Sequence, residues 1–145
     1  MKEARGVLGF TGPTTVTQGD ELQIVNLTNP DKVGPHTFSL VNRAALPKTE
    51  PARQRCSVPR RICGAIARWH GAEGEAPPTV NPARAGQPGW DAAGSTTRRG
   101  DSWFSAEQGD AFTQQLTAAP GTLHFICAIH PWMQGRVDVV APPAL

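Results

Sequence analysis

The sequence predicts an all-β fold, an antiparallel-rich sandwich or barrel, on three observations. Glycine (15) and proline (14) make up a fifth of the 145 residues, which favours strands and turns over long helices. Short stretches of alternating apolar and polar residues stand near both ends of the chain, separated by turn-forming residues. The length suits a single core with room for an appendage, so residues 1–145 are read as one domain.

Residues 6–10 are short and apolar, and 21–27 (ELQIVNL) set Leu22 and Ile24 against polar neighbours before an Asn29-Pro30 turn. Gly34-Pro35 turns the chain again. Residues 36–41 (HTFSLV) then resume the period of two, with His36, Phe38 and Leu40 on one face. Near the C-terminus, 111–116 reads as a strand, Pro120-Gly121 as a turn, 123–127 as a strand and 136–140 (RVDVV) as the closing strand. Leu123, Phe125 and Cys127 point to one side of theirs, which sends His124 and Ile126 to the other.

Residues 43–100 differ in character. Ten of residues 71–100 are Gly or Pro, with only Val80 and Trp90 among the larger apolar types, so that half reads as irregular loop. The half before it carries one helical signal: Pro59 can open a helix, Ile62, Ile66 and Trp69 share a face, and Gly71 can cap the end. Charge is concentrated here too. Arg43, Lys48, Arg53, Arg55, Arg60, Arg61 and Arg68 stand against the single acid Glu50, in a chain of net charge +2, so the remainder is acidic. The total is too mild to point to nucleic acid. No apolar run is long enough to span a membrane, and residues 1–5 (MKEAR) lead into no apolar signal segment.

The densest chemistry lies in Cys127-Ala-Ile-His130-Pro-Trp-Met133, with Pro35-His36 some ninety residues earlier. A thiolate, imidazoles and a thioether together suit copper, since sulfur favours Cu(I) and imidazole accepts Cu(II). His36 is the candidate second imidazole because it opens a strand on the face expected to be inward. Spacings of three and three also place Cys127, His130 and Met133 on one face of a helix as ordinary core, but Pro131 and Gly135 argue against a helix there. A structural zinc site calls for four Cys or His ligands, and c-type haem for a Cys-x-x-Cys-His motif that this chain lacks. A Cys127–His130 nucleophilic pair has no identifiable acid to orient it.

Residues 120–137 (PGTLHFICAIHPWMQGRV) resemble the C-terminal copper loop of the small blue copper proteins, the cupredoxins, with a short-loop spacing similar to that of amicyanin. Gly19-Asp20-Glu21 opening a strand, and Asn29 through Pro35-His36-Thr37-Phe38, resemble the family's first-ligand region. The resemblance covers about residues 6–42 and 101–140. It implies a Greek-key β-sandwich of about eight strands, one type 1 copper, His36 and His130 as imidazole ligands, Cys127 as thiolate and Met133 as weak axial ligand. It makes 43–100 an insertion, mostly irregular with one short helix. The family often has Asn after the first His and Ser or Thr after the Cys, where this chain has Thr37 and Ala128, and often Pro where Ile129 stands. Hydrogen bonds in that region tune the metal.

Within the insertion, Cys56 and Cys63 are expected to pair, free thiols being the alternative, and a bridge fits the periplasmic or extracellular placement usual in the family. His70 is expected to be a solvated loop histidine rather than part of a second metal site. With four protein donors assigned there is no position for substrate, so the expectation is a one-electron carrier and not an enzyme. A copper delivery or storage protein and a copper-free interaction module are the alternatives. The partner would be a redox protein met transiently, with an acidic surface if the basic block steers it. His130 and Trp132 would form the electron exit.

Overall fold

The computed structural model describes residues 2–4, 7–71, 84–85 and 89–143. Ten strands appear among them: β1 (Lys2–Ala4), β2 (Val7–Gly9), β3 (Thr15–Thr17), β4 (Glu21–Val25), β5 (His36–Val41), β6 (Arg84–Ala85), β7 (Ser102–Ser105), β8 (Ala111–Gln115), β9 (Gly121–Ile126) and β10 (Gln134–Val140). Three short helices interrupt them, α1 (Pro30–Val33), α2 (Glu50–Gln54) and α3 (Ile62–Trp69), with a 3-10 turn at Arg43–Ala45. The all-β expectation holds.

A six-stranded sheet runs in the order β3-β10-β9-β5-β7-β6, and β4 pairs with β8 in a second layer. The pairings β5 with β9 and β4 with β8 join strands far apart in sequence, so the chain crosses between layers as a Greek-key sandwich requires. Side chains from both layers meet in one core of Ile24, Phe38, Leu40, Trp90, Trp103, Leu116, Phe125, Val137 and Val139, with Phe112 packed against it. Its centre is aromatic. Phe38 lies 4.6 Å from Phe125 and 5.4 Å edge-on from Trp90, and Trp103 stacks on Phe112.

Leu40 and Phe125 face this core from opposite members of a β5–β9 pair, and Ile126, one residue on, faces away from it. The period-of-two reading of these strands is therefore correct. Burial goes beyond that one face: every residue of β5 is buried, Thr37, Ser39 and Val41 included. The outer face is roofed by the segment between β5 and β7. Val41 and Ile126 pack there against Ile62, Ala65, Ile66 and Trp69 of α3 and against Cys56 and Cys63. Fully burying an isoleucine contributes roughly 1.5 to 3 kcal/mol, so two isoleucines and a tryptophan suffice to hold so short a helix on the sheet.

The helix falls where the periodicity places it, with Gly71 past its end at a positive φ of 87°, although Pro59 lies in the preceding turn and Arg61 is the N-cap. A second helix, α2, was not expected; Thr49 caps it by accepting from the Ala52 amide. Strand β7 also escaped the sequence reading, because Ser-Trp-Phe-Ser has no clean alternation at the end of a glycine-rich stretch. Trp90, within the expected loop, is wholly buried and carries backbone bonds to Gln115 and Ala118. Close approach explains Gly94, where a Cβ would collide with the Trp69 ring and with the Gly100 backbone. Val80 and most of 72–88 lie outside the described residues.

Cys56 and Cys63 form a disulfide that joins the loop after α2 to the first turn of α3, and Cys127 is free and buried. Titration of thiols in denatured, unreduced, metal-free protein should find one, rising to three after reduction. The Cys56→Ser/Cys63→Ser pair should lose about 2.5 kcal/mol of stability on the chain-entropy relation for so short a loop.

Candidate metal centre

The hairpin of β9 and β10 is closed by residues 127–133, with Ile126 paired to Gln134 and the Cys127 amide donating to the Met133 carbonyl at 3.0 Å. The Met133 amide in turn donates to the His130 carbonyl at 2.8 Å, so the loop is tied back twice on itself. Because β9 pairs with β5, this loop lies beside the start of β5, where His36 stands. Residues ninety positions apart are thus brought together by one ladder.

His36, Cys127 and His130 are all buried, and their ligand atoms lie within 4.8 Å of one another. Cys127 Sγ is 3.8 Å from His36 Nδ1 and 3.6 Å from His130 Nδ1. Met133 is buried in the core that includes Cys127. Three of the four expected donors are therefore brought together by their ligand atoms, and the fourth lies buried at the end of the same loop.

The opposite edge of each ring fixes its tautomer. His130 Nε2 lies 2.8 Å from the Val33 carbonyl, which can only accept, so Nε2 carries the proton. His36 Nε2 lies 2.7 Å from Thr28 Oγ1, whose own proton goes to Asn26 Oδ1 at 2.7 Å, so this nitrogen too is the donor. Asn26, wholly buried, is held by donating to Ser105 Oγ, which donates to Asp110. Both Nδ1 lone pairs consequently face the sulfur, the pairing of metal-facing nitrogen and anchored outer nitrogen that metal histidines use.

Protonation follows from burial. Desolvation first, and then the neighbouring His130, lower the His36 pKa to about 4, and desolvation lowers that of His130 against the opposing pull of the Val33 carbonyl. Burial raises the Cys127 thiol, with the amides and hydroxyl of its loop and of Thr37 pulling the other way. A neutral thiol offers one proton to two desolvated lone pairs. A soft cation that displaces it satisfies all three atoms, so the donor set fits one copper ion of the type 1 kind.

Thr37 and Ala128 bond the two segments that carry the candidate donors. Thr37 Oγ1 accepts from the Ala128 amide at 2.8 Å, and the Thr37 amide donates to Cys127 Sγ at 3.3 Å. Outside the ring pair, Trp132 is 53% exposed and meets the His130 ring edge-on at 5.3 Å, and Ile129 is also exposed. His130 itself is buried, because Val33 and Trp132 cover it. The sequence reading missed Asn26, Thr28 and Val33. An Asn-x-Thr just upstream of the first histidine was the available signal, but only folding turns it towards the ring.

No protein-family model matches the chain, and no curated protein matches it either. Among solved structures, auracyanin B aligns with 16% identity and a TM-score of 0.42, over 88% of this chain and 77% of that one. A copper-containing nitrite reductase from Thermus scotoductus SA-01 aligns with 15% identity and a TM-score of 0.35, over 89% of this chain and 19% of that one. The chain thus spans about a fifth of the reductase. Both likenesses are remote, and the case for copper rests on the donor set itself.

The two neutral imidazoles set a pH dependence for the metal-free protein. The unfolded chain takes up protons below about pH 6.5 while folded His36 resists them down to about 4, so stability falls as pH falls through that window. Thermal melts of metal-free protein should show the decline between pH 6.5 and 4, and His36→Gln should make it shallower.

Proposed function

We propose that the chain is a type 1 copper protein that carries single electrons between redox partners, with His36, Cys127 and His130 as the principal ligands and Met133 as a weak axial one. The observation that carries this reading is the convergence of two Nδ1 lone pairs on one buried sulfur with both outer nitrogens anchored. Copper supplies a one-electron couple when bound. Val33 and the Thr28–Asn26 pair hold the rings in place in either redox state, and the Thr37 amide bonds to the sulfur. Burial of all four donor residues excludes water and leaves no place for a substrate, which supports a carrier over a catalyst.

The disulfide supports an oxidising, periplasmic or extracellular setting, and no helix among the described residues is long and apolar enough to cross a membrane. Partner choice rests on surface. Trp132 and Ile129 form an exposed apolar spot beside the site, and Gln134 Nε2 donates to both the Pro131 and Pro47 carbonyls, tying the copper loop to the start of the basic segment. Arg43, Lys48, Arg55, Arg60, Arg61 and Arg68 are exposed, whereas Arg53 is half-buried and paired with Glu50. This supports a transient acidic partner.

Addition of Cu(II) to metal-free protein should give one bound copper, an intense visible charge-transfer band and proton release from Cys127. Cys127→Ser should abolish the band. Met133→Leu should still bind copper and should raise the reduction potential, since a donor to Cu(II) is lost; a lowered potential would remove Met133 from the site. Reversible voltammetry separates a carrier from a protein that only stores the metal.

With an acidic redox partner, transfer rates should fall as salt rises, because such steering is screened over about 8 Å at physiological ionic strength. Charge reversal at Arg60 and Arg61 should flatten that dependence with the visible spectrum unchanged.

A further inference from the structure

The expectation of a solvated His70 is wrong: it is 2% exposed, sits at the C-cap of α3, and places Nε2 2.8 Å from Ser102 Oγ under the roof of the sheet. From there a line of buried hydroxyls crosses two strands. Ser102 Oγ is 2.7 Å from Ser39 Oγ, its partner across the β5–β7 ladder, and Ser39 Oγ is 2.9 Å from Thr37 Oγ1. Thr37 is the residue whose hydroxyl accepts from the Ala128 amide and whose own amide reaches Cys127 Sγ.

Each hydroxyl has one proton, so the direction is determined. Thr37 sends its proton to the Ile126 carbonyl at 3.5 Å, so Ser39 donates to Thr37, Ser102 to Ser39, and His70 Nε2 donates to Ser102. We propose that His70 is a positioning residue for the Cys127 site: the insertion sets the hydrogen bonding of the cysteine sulfur through the chain His70–Ser102–Ser39–Thr37. This rests on the copper reading for its redox consequence, but the chain itself is a property of the protein alone. Four buried polar side chains in series are costly unless every member is satisfied, and they polarise one another when it is. Loss of the donor at position 70 leaves the Ser102 oxygen without the hydrogen bond it accepts and frees the hydroxyls to turn. Thr37 then holds Ala128 and the sulfur less firmly. A weaker bond to the sulfur leaves more negative charge there, which favours the oxidised state.

The test uses Ser39→Ala, which loses one hydroxyl and little volume, His70→Phe, His70→Gln, which keeps a donor, and Ile66→Val as a packing control on the same helix. In metal-free protein, amide exchange at Ala128 should quicken about tenfold in Ser39→Ala and His70→Phe, and stay near wild type in His70→Gln and Ile66→Val. In copper-loaded protein the first two should lower the reduction potential by an amount matching about a threefold equilibrium shift, ~30 mV at 59 mV per tenfold, with copper content unchanged. Ala128 exchange in Ser39→Ala and His70→Phe equal to that in Ile66→Val would overturn the proposal, whether or not copper binds. Failure to bind copper would overturn the functional reading alone and leave the exchange result to decide this one.

Discussion

Strand β5 is buried on both of its faces, and the rest of the molecule is arranged around that constraint. Its inner face gives Phe38 and Leu40 to the sandwich core, and its outer face gives Thr37, Ser39 and Val41 to the layer under α3. A strand covered on both sides needs every backbone group paired and every polar side chain satisfied. β7 and β9 supply the ladders on its two edges, and the buried hydroxyls satisfy one another. With β5 fixed in this way, its first residue, His36, has one position available. The loop at the end of β9 is brought to it by register.

The same constraint accounts for residues 43–100. Among the described residues that stretch is a folded cover: a disulfide, a short apolar helix and a tryptophan seated where Gly94 leaves room. Leu40, Val41 and Asn42 extend the association through backbone contacts with the Gly94 segment, so the cover and the strand share hydrogen bonds as well as apolar area. The short bridge between Cys56 and Cys63 restrains the chain just where α3 starts, which limits the freedom that so short a helix would otherwise retain.

At the metal centre, desolvation and tautomer control act together. Burial keeps the imidazoles neutral and the thiol protonated until a cation arrives, and the outer acceptors at Val33 and Thr28 settle which nitrogen faces inward. Thr37, after the first histidine, ties the two segments that carry the candidate donors. Its hydroxyl accepts from the Ala128 amide and donates to the Ile126 carbonyl.

Legible in the sequence alone were the all-β class, the strands holding Phe38, Leu40, Leu123 and Phe125, the helix through Ile62, Ile66 and Trp69, and the four candidate donors, whereas the pairing of Cys56 with Cys63 was an expectation with free thiols as its alternative. These are legible because alternation, turn residues and donor spacing are local, and local patterns survive without knowledge of what packs on them. Strand β7 was not legible, since Ser-Trp-Phe-Ser sets two aromatic residues side by side and carries no alternation. Tertiary structure alone decided that His70 is buried, that Thr37 and Ser39 face protein and not water, and that Thr28 and Val33 anchor the rings. Each of those depends on contacts between residues far apart in sequence, and a polar residue reads the same in a chain whether water or another hydroxyl satisfies it.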